Sequence, residues 1–282
     1  MWSIGMYSGN SPLNLQPHPE ASNPVLLPGD ISDLKGVSIA DPFMIQIEDI
    51  WYMFFEVLDG DTQKGSIGLA TSVDAIKWTY DRIVLDEQVH LSYPCVFRVN
   101  QENYMIPETV TGDGISLYRA ERFPYEWTLD RVLVEGTWAD PSIFRFEGRW
   151  WMFACGTPAQ SDSLHLFHSK RLFGPWEEHC LSPLVTDNNR HARPAGRVTP
   201  FEDGVMRFCQ DCEPEYGTRV RAFEIIELSY KTYREREHHL SPILVPSGEG
   251  WNSNRMHHVD PHQRAPGEWI ACVDGLTNTS FK

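Results

Sequence analysis

The sequence predicts an all-β, five-bladed β-propeller, and three observations predict it. A short opening strand recurs five times along the 282 residues. Each opening is followed across a polar turn by a second strand, and most repeats continue with a third and a fourth. The last repeat lacks its outer strands, and segments that match them stand at the start of the chain.

The openings are Asp41-Pro-Phe-Met-Ile, Tyr93-Pro-Cys-Val-Phe, Asp140-Pro-Ser-Ile-Phe, Ala195-Gly-Arg-Val-Thr and Asp260-Pro-His-Gln. Turns such as Glu48-Asp49 and Glu147-Gly148 separate them from second strands, among them Trp51-Tyr-Met-Phe-Phe-Glu56, Asn103-Tyr-Met-Ile-Pro-Glu108 and Trp150-Trp-Met-Phe-Ala-Cys155. This is hairpin chemistry. Third strands read Ser66-Ile-Gly-Leu-Ala-Thr, Ile115-Ser-Leu-Tyr-Arg-Ala, Leu164-His-Leu-Phe-His-Ser and Arg219-Val-Arg-Ala-Phe-Glu, and three of them lead to Trp78, Trp127 and Trp176. Fourth strands are expected at Arg82-Ile-Val-Leu, Arg131-Val-Leu-Val, Pro183-Leu-Val and Pro242-Ile-Leu-Val. Four short, evenly spaced strands per unit make a propeller blade. Ser3-Ile-Gly-Met-Tyr-Ser matches the third strands and Pro24-Val-Leu-Leu the fourth. Residues 2–28 are therefore expected to complete the fifth blade, so that residues 1–282 form one propeller. Such closure removes an open sheet edge. The charge run Arg234-Glu-Arg-Glu-His-His reads as a solvated strand edge or loop.

Composition narrows the function classes. The formal net charge is −15, the reverse of what phosphate contacts need, so a nucleic-acid partner is not expected. Anionic membranes are disfavoured for the same reason, and no apolar run reaches the ~18 residues of a membrane span. A carbohydrate or glycoconjugate partner fits better, with 12% aromatic residues available for packing and stacking. Met1 to Asn10 has neither the basic start nor the apolar run of a leader. The six cysteines are then expected to be reduced thiols and the location cytoplasmic. Cys209 and Cys212 form a lone CxxC where structural zinc wants a second pair. No metal or other cofactor is expected.

The first strand of each blade lines a propeller's axis, so Asp41, Asp140 and Asp260 are expected to converge although far apart in sequence. The ends of the second strands bring Glu56, Glu108, Asp211 and Asp274 toward the same rim. Carboxylates crowded in one pocket shift each other's pKa values, which is the arrangement acid–base chemistry uses. Glycoside cleavage needs two such groups, one to protonate the leaving oxygen and one to activate water or attack. An Asp before Pro also caps turns, so the repeated Asp-Pro has a structural reading as well. Pro107 places Glu108 at a strand break. The fourth blade enters through Arg190-His-Ala-Arg-Pro-Ala-Gly-Arg, which places Arg190, His191, Arg193 and Arg197 near the axis, either paired with the carboxylates or holding an acidic or phosphorylated sugar. His90, His257-His258 and Asp260 are expected to bond sugar hydroxyls or backbone, with a metal-binding set as the lesser alternative.

Two resemblances follow from these motifs. The repeat and the Asp-Pro openings resemble the five-bladed propellers of glycoside hydrolase families 43 and 32. By that resemblance Asp41 in Ile39-Ala-Asp-Pro-Phe is the base or nucleophile, and Asp140 in Trp138-Ala-Asp-Pro-Ser-Ile-Phe tunes the acid's pKa. The fourth-blade segment Ala192-Arg-Pro-Ala-Gly-Arg departs from family 43 in lacking the acid, so Glu108 takes that place. A second resemblance covers most of the chain. Ala40-Asp-Pro-Phe, Gly68-Leu-Ala-Thr-Ser, His90-Leu-Ser-Tyr-Pro, Tyr104-Met-Ile-Pro-Glu, Gly174-Pro-Trp and Cys209-Gln-Asp-Cys resemble the N-terminal propeller domain of plant glucosamine inositolphosphorylceramide transferase and its bacterial relatives. It implies a propeller whose glycosyl-transfer chemistry belongs to a separate domain. Three functions stay open. The first is a glycosidase-like enzyme using Asp41, Glu108 and Asp140, with Glu56, His90, Arg190, His191, Arg193, Arg197, Asp211, His258 and Asp260 binding substrate. The others are a glycosyltransferase or sugar phosphorylase on this fold, and a glycan-binding propeller without catalysis.

Overall fold

The computed structural model describes residues 1–109, 112–202 and 204–278, and these form five antiparallel four-stranded sheets. The chain opens with β1 (Trp2–Ser11) and β2 (Asn14–Pro17). Blade one contains β3 (Gly36–Ile47), β4 (Ile50–Asp59), β5 (Gly65–Ser72) and β6 (Thr79–Leu85). Blade two contains β7 (Ser92–Val99), β8 (Glu102–Glu108), β9 (Gly114–Arg122) and β10 (Glu126–Glu135). Blade three contains β11 (Ala139–Phe146), β12 (Arg149–Cys155), β13 (Leu164–Ser169) and β14 (Glu177–Glu178). Blade four contains β15 (Thr199–Phe201), β16 (Gly204–Asp211), β17 (Arg219–Leu228) and β18 (Tyr233–Glu237). Blade five starts with β19 (Val259–Ala265) and β20 (Glu268–Leu276), and β1 and β2 complete it. The architecture is the five-bladed propeller that the repeats predict. No helix among the described residues is long and apolar enough to cross a membrane.

Burial explains the strand sequences. Second strands are covered on both faces by neighbouring blades, so Met53, Phe54 and Phe55 run consecutively and all are fully buried. Outer strands face water, and β10 buries only Trp127 of its ten residues. Trp78, Trp127 and Trp176 close the turns into the outer strands by donating their indole N–H to the carbonyls of Ala75, Pro124 and Leu172. The Arg234–Glu237 charge run lies in β18, an exposed edge strand whose Arg234 and Arg236 pair across to Glu227 and Glu224.

The outer edge differs from expectation in three blades. The segments beginning at Pro24, Pro183 and Pro242 form only single bridges to the third strands, at Leu26, Val185 and Leu244. The ladders are completed instead by β2, β14 and β18. Proline has no N–H to give a ladder, so these segments cross the sheet edge rather than extend along it.

The closing blade joins the two ends of the chain. Eight consecutive pairs, from Trp2↔Leu276 to Gly9↔Trp269, bind β1 to β20. β1 and its hairpin bury Ile4, Met6, Tyr7, Leu13 and Leu15. Deleting residues 2–17 leaves the β20 edge unpaired and those cavities unfilled. The truncated protein is expected to aggregate and to lack a cooperative melting transition. Size-exclusion chromatography and differential scanning calorimetry check this; a monomer melting near the full-length temperature would contradict it.

Candidate active site

Four blades open with a backbone reversal. Asp41 (φ 53°), Tyr93 (φ 47°) and Asp140 (φ 50°) are left-handed non-glycine residues, and Gly196 (φ 122°) occupies the corresponding place in blade four. At the first three the ladder slips register, between Ala40 and Phe43, Ser92 and Cys95, and Ala139 and Ser142. Each is a β-bulge, which re-aims the bulged side chain. Asp260 is different although proline follows it too. Asp260 and Pro261 stay in register with Cys272 and Ala271. The Asp-Pro dipeptides are thus two bulges and one regular strand rather than three turn caps.

A bulge takes its N–H out of the ladder, and that donor needs another acceptor. Asp41 N–H donates to Asp274 Oδ2 at 3.1 Å, and Asp140 N–H donates to Glu108 Oε2 at 2.9 Å. Asp274 lies near the end of β20 and Glu108 ends β8. In both cases the second strand of one blade supports the opening of another, so Glu108 and Asp274 hold equivalent places. Pro107 contributes: among the described residues the pairing of β8 with β9 stops at Met105, which frees Glu108 on that side.

Asp41 and Glu108 line an axial cavity of about 300 Å³, whereas Asp140 and Asp274 are buried outside its lining. Of the residues singled out from sequence, Asp41, Glu56, His90, Glu108 and Arg193 line it. Trp2, Tyr216 and His257 also line it, with Ser38, Ala40, Leu58 and Ser92 between them. Trp2 stacks on the His257 ring at 4.1 Å, and the Tyr216 ring meets His257 edge-on at 5.4 Å. Trp2 and Tyr216 were not legible as site residues: one is the first residue of β1, a strand that crosses from the other end of the chain, the other sits in the loop after β16.

Asp41 is the anomalous group. It is only 6% exposed, and its Oδ1 has no hydrogen-bond partner. His258 Nδ1 and His257 Nε2 stand 3.6 and 3.8 Å from that oxygen, beyond bonding distance. Burial pushes its pKa up to about 8; Asp274, Glu56 and Glu108 add to the rise and His257 opposes it. Its neighbour Asp274 is the opposite case. It accepts the backbone N–H groups of Asp41, His257 and His258 and lies 2.7 Å from His257 Nδ1. Burial alone would raise its pKa, but His257 and these bonds hold it below the usual carboxylate range. Burial would lower His257, and Asp274 more than reverses this, so His257 titrates above the ordinary histidine value. Burial drives His258 down to about 4, and it packs its ring edge-on against Phe43 and Tyr93 as a neutral imidazole.

Asp41, His257 and Asp274 also form a group with donor atoms within 4.8 Å of one another. Asp274 favours the proton on His257, so an ion binding this set would displace that proton, as metal binding to an imidazole does.

Opposite Asp41, Arg193 is buried and fully engaged. Its Nε donates to Asp140 Oδ2 at 2.5 Å, Nη2 to Glu108 Oε2 at 3.2 Å and Nη1 to the Pro158 carbonyl at 3.0 Å. Gln210 Nε2 donates to the same Asp140 oxygen at 2.9 Å. Burial pushes the Asp140 carboxyl up, and Arg193 opposes it. At the other wall Gly65 N–H donates to His90 Nδ1, which directs His90 Nε2 to Glu56 Oε1 at 3.0 Å. That bond raises the His90 pKa against the effect of burial.

The remaining expected site residues lie elsewhere. Asp260 is paired with Arg197 at 2.7 Å and His262 at 2.8 Å, and it accepts Met44 N–H at 2.6 Å. Burial would raise it, but Arg197 and His262 hold it well below the carboxylate range. Arg197 also donates to the carbonyls of Met44 and Val96, so one guanidinium ties blades one, two, four and five together. Asp211 is buried beneath Arg221, at 2.7 Å, with Arg190 and Arg219 farther off. Arg190 and His191 line a separate cavity beside Arg221 and Glu237. The arginines of the fourth-blade entry therefore point to three places, because the chain between Arg190 and Arg197 crosses from rim to axis, and they do not form one anion cradle.

Comparison with known proteins agrees with the fold. Residues 1–276 match the family described as glucosamine inositolphosphorylceramide transferase 1, N-terminal. The chain is 37% identical over 295 residues to the glucosamine inositolphosphorylceramide transferase 1 of Oryza sativa subsp. japonica, covering 97% of this chain and 40% of that protein. The Arabidopsis thaliana protein of the same name is 35% identical over 300 residues, covering 99% and 39%. The chain thus spans about two fifths of the length of these relatives. Among solved structures, the catalytic domain of an α-L-arabinofuranosidase from Coprinopsis cinerea superposes with a TM-score of 0.65 at 12% identity, covering 99% of this chain and 93% of that one. A family 117 glycoside hydrolase of Zobellia galactanivorans gives 0.55 at 13% identity, covering 85% of each. At such identities the likeness is one of fold.

Proposed function

Because the chain belongs to the family of the N-terminal region of glucosamine inositolphosphorylceramide transferase 1, we propose that its axial cavity takes one terminal sugar of a glycoconjugate and cleaves its glycosidic bond with Asp41 as the proton donor. The observation that carries this reading is Asp41 itself: buried, unpartnered at Oδ1, facing the cavity, with a pKa near 8. A carboxyl that keeps its proton at neutral pH is suited to protonating a leaving oxygen. Glu108, with the Arg193 guanidinium on Oε2, is then the carboxylate that activates water or attacks. These roles reverse those drawn from the family 43 resemblance. The cavity lies at the small end of the ~300–1,000 Å³ range of ligand pockets, which favours a single sugar unit. Trp2 and Tyr216 offer it aromatic surface.

The test is release of free sugar from aryl glycosides and from inositol-phosphate-linked glycans, followed across pH. We expect kcat/KM to fall as pH rises through about 8, where Asp41 loses its proton. A rate that instead climbs through that range would assign the proton to another group.

A second reading, glycan binding without turnover, is supported by the equivalence of Glu108 with Asp274. Glu108 already has a backbone to hold, and blade four supplies Gly196 and Arg193 where an acid would stand. Retention of intact glycan with no product, unchanged in Glu108→Gln, would decide for it.

A further inference from the structure

A second cavity, of about 670 Å³, lies at the seam between blades three and four. Arg149, at the start of β12, belongs to the turn end of its hairpin, whereas Asp140 and Cys155 sit at the funnel end. The cavity therefore opens on the face opposite the axial site. Arg149, His168, Lys170 and Arg171 line it from blade three, and Tyr230 closes it from blade four.

Its charge is out of character with the chain. The protein has 39 acidic against 24 basic residues, and most of its arginines are paired. Among the described residues, however, Arg149, Lys170 and Arg171 each lack a carboxylate partner within ion-pair distance, and Glu177 is the single acid in the wall. Arg149 is held in place, and Lys170 and Arg171 are exposed side chains on an ordered turn. Arg149 Nη1 approaches His168 Nδ1 at 3.3 Å, so the imidazole accepts and stays neutral. Burial and Arg149 accordingly lower the His168 pKa. One edge of the guanidinium is used and its other donors are left for a ligand. Arg171 N–H donates to Ser169 Oγ, and Gly174 N–H donates to the Arg171 carbonyl, so the loop carrying Lys170 and Arg171 is a hydrogen-bonded turn.

We propose that this cavity binds a phosphate-type oxyanion through Arg149, Lys170 and Arg171. Guanidinium groups match phosphate oxygens bidentately, and three cations facing one carboxylate leave the wall net positive. The ligand is either free phosphate or the phosphate of a lipid headgroup.

Binding of inorganic phosphate to the full chain by isothermal titration in 150 mM chloride, alongside flotation with phosphatidylcholine vesicles containing phosphatidylserine, tests this. We expect saturable binding in one or both arms. It should weaken at least tenfold in Arg149→Ala and in the charge reversal Arg171→Glu, whose exposed side chain leaves folding intact. Asp41→Asn should bind as wild type, which separates this site from the axial one. Phosphate binding with no vesicle binding assigns a free anion; vesicle binding with weak phosphate binding assigns a headgroup. No binding in either arm, or equal binding by both variants, overturns the proposal.

Discussion

Asp41→Asn is expected to abolish sugar release and, at the same time, to make the protein more stable. The activity loss should be about 10²–10⁴-fold, the range that general acid catalysis supplies. The stability gain follows from the sign of the pKa shift. Asp41 titrates near 8 when folded, and near the ordinary value of 3.8 when unfolded. Below pH 4 it is protonated in both states, and no penalty exists. As pH rises from 4 to 8 the unfolded chain releases this proton and the folded chain does not, so stability is lost progressively through that window. Asparagine has no proton to lose. The variant's advantage should therefore be absent at pH 4 and reach about a few kcal/mol at pH 8. Asparagine also tolerates the left-handed backbone at this position, which alanine does not. Urea unfolding at pH 4, 6 and 8 checks it, and a pH-independent difference would place the carboxyl in an ordinary ionised state.

Arg193→Met is expected to cost the protein much of its stability. Methionine replaces the stem but leaves Asp140 and Glu108 buried without their shared cation. Removing one partner from a buried pair costs about 3–5 kcal/mol, because the remaining charge is uncompensated. For a chain of this size that lowers the melting temperature by roughly 10 °C. Adding Asp140→Asn should restore part of it, since one stranded carboxyl is then gone. Denaturant unfolding of the single and double variants measures both effects. A single variant within about 1 kcal/mol of wild type would mean that desolvation of the pair cancels its attraction.

Much of the fold is legible in the sequence because blades repeat it. A Trp51–Phe55 run is ambiguous alone, but five such runs behind five openings are not. The circular offset is legible for the same reason, since Ser3-Ile-Gly-Met and Ser66-Ile-Gly-Leu share their spacing. The outer strands are less so, because solvent-facing positions tolerate many residues and the apolar Pro183 and Pro242 segments outcompete the charged β14 and β18 in appearance. At the site, proximity to the axis is readable but direction is not. Asp41 and Asp260 carry the same dipeptide; only the strand opposite decides which one bulges. Arg193 and Arg197 are one helical turn apart by count, yet in extended chain they serve different carboxylates. Glu108 illustrates the remainder. Its strand-end position is visible, while its bond to the Asp140 N–H depends on a bulge in the following blade.

The hydrogen bond between the Met1 nitrogen and the Thr277 carbonyl spans 276 residues. On the ribosome, at ~5–20 residues per second, the first strand therefore waits about 14–55 s for its partner to exist. During that interval four blades can assemble while β1, with its apolar face, remains a single unpaired segment. Factors that shield nascent strands, or slow synthesis of the final blade, should alter the yield of folded protein far more than its melting temperature.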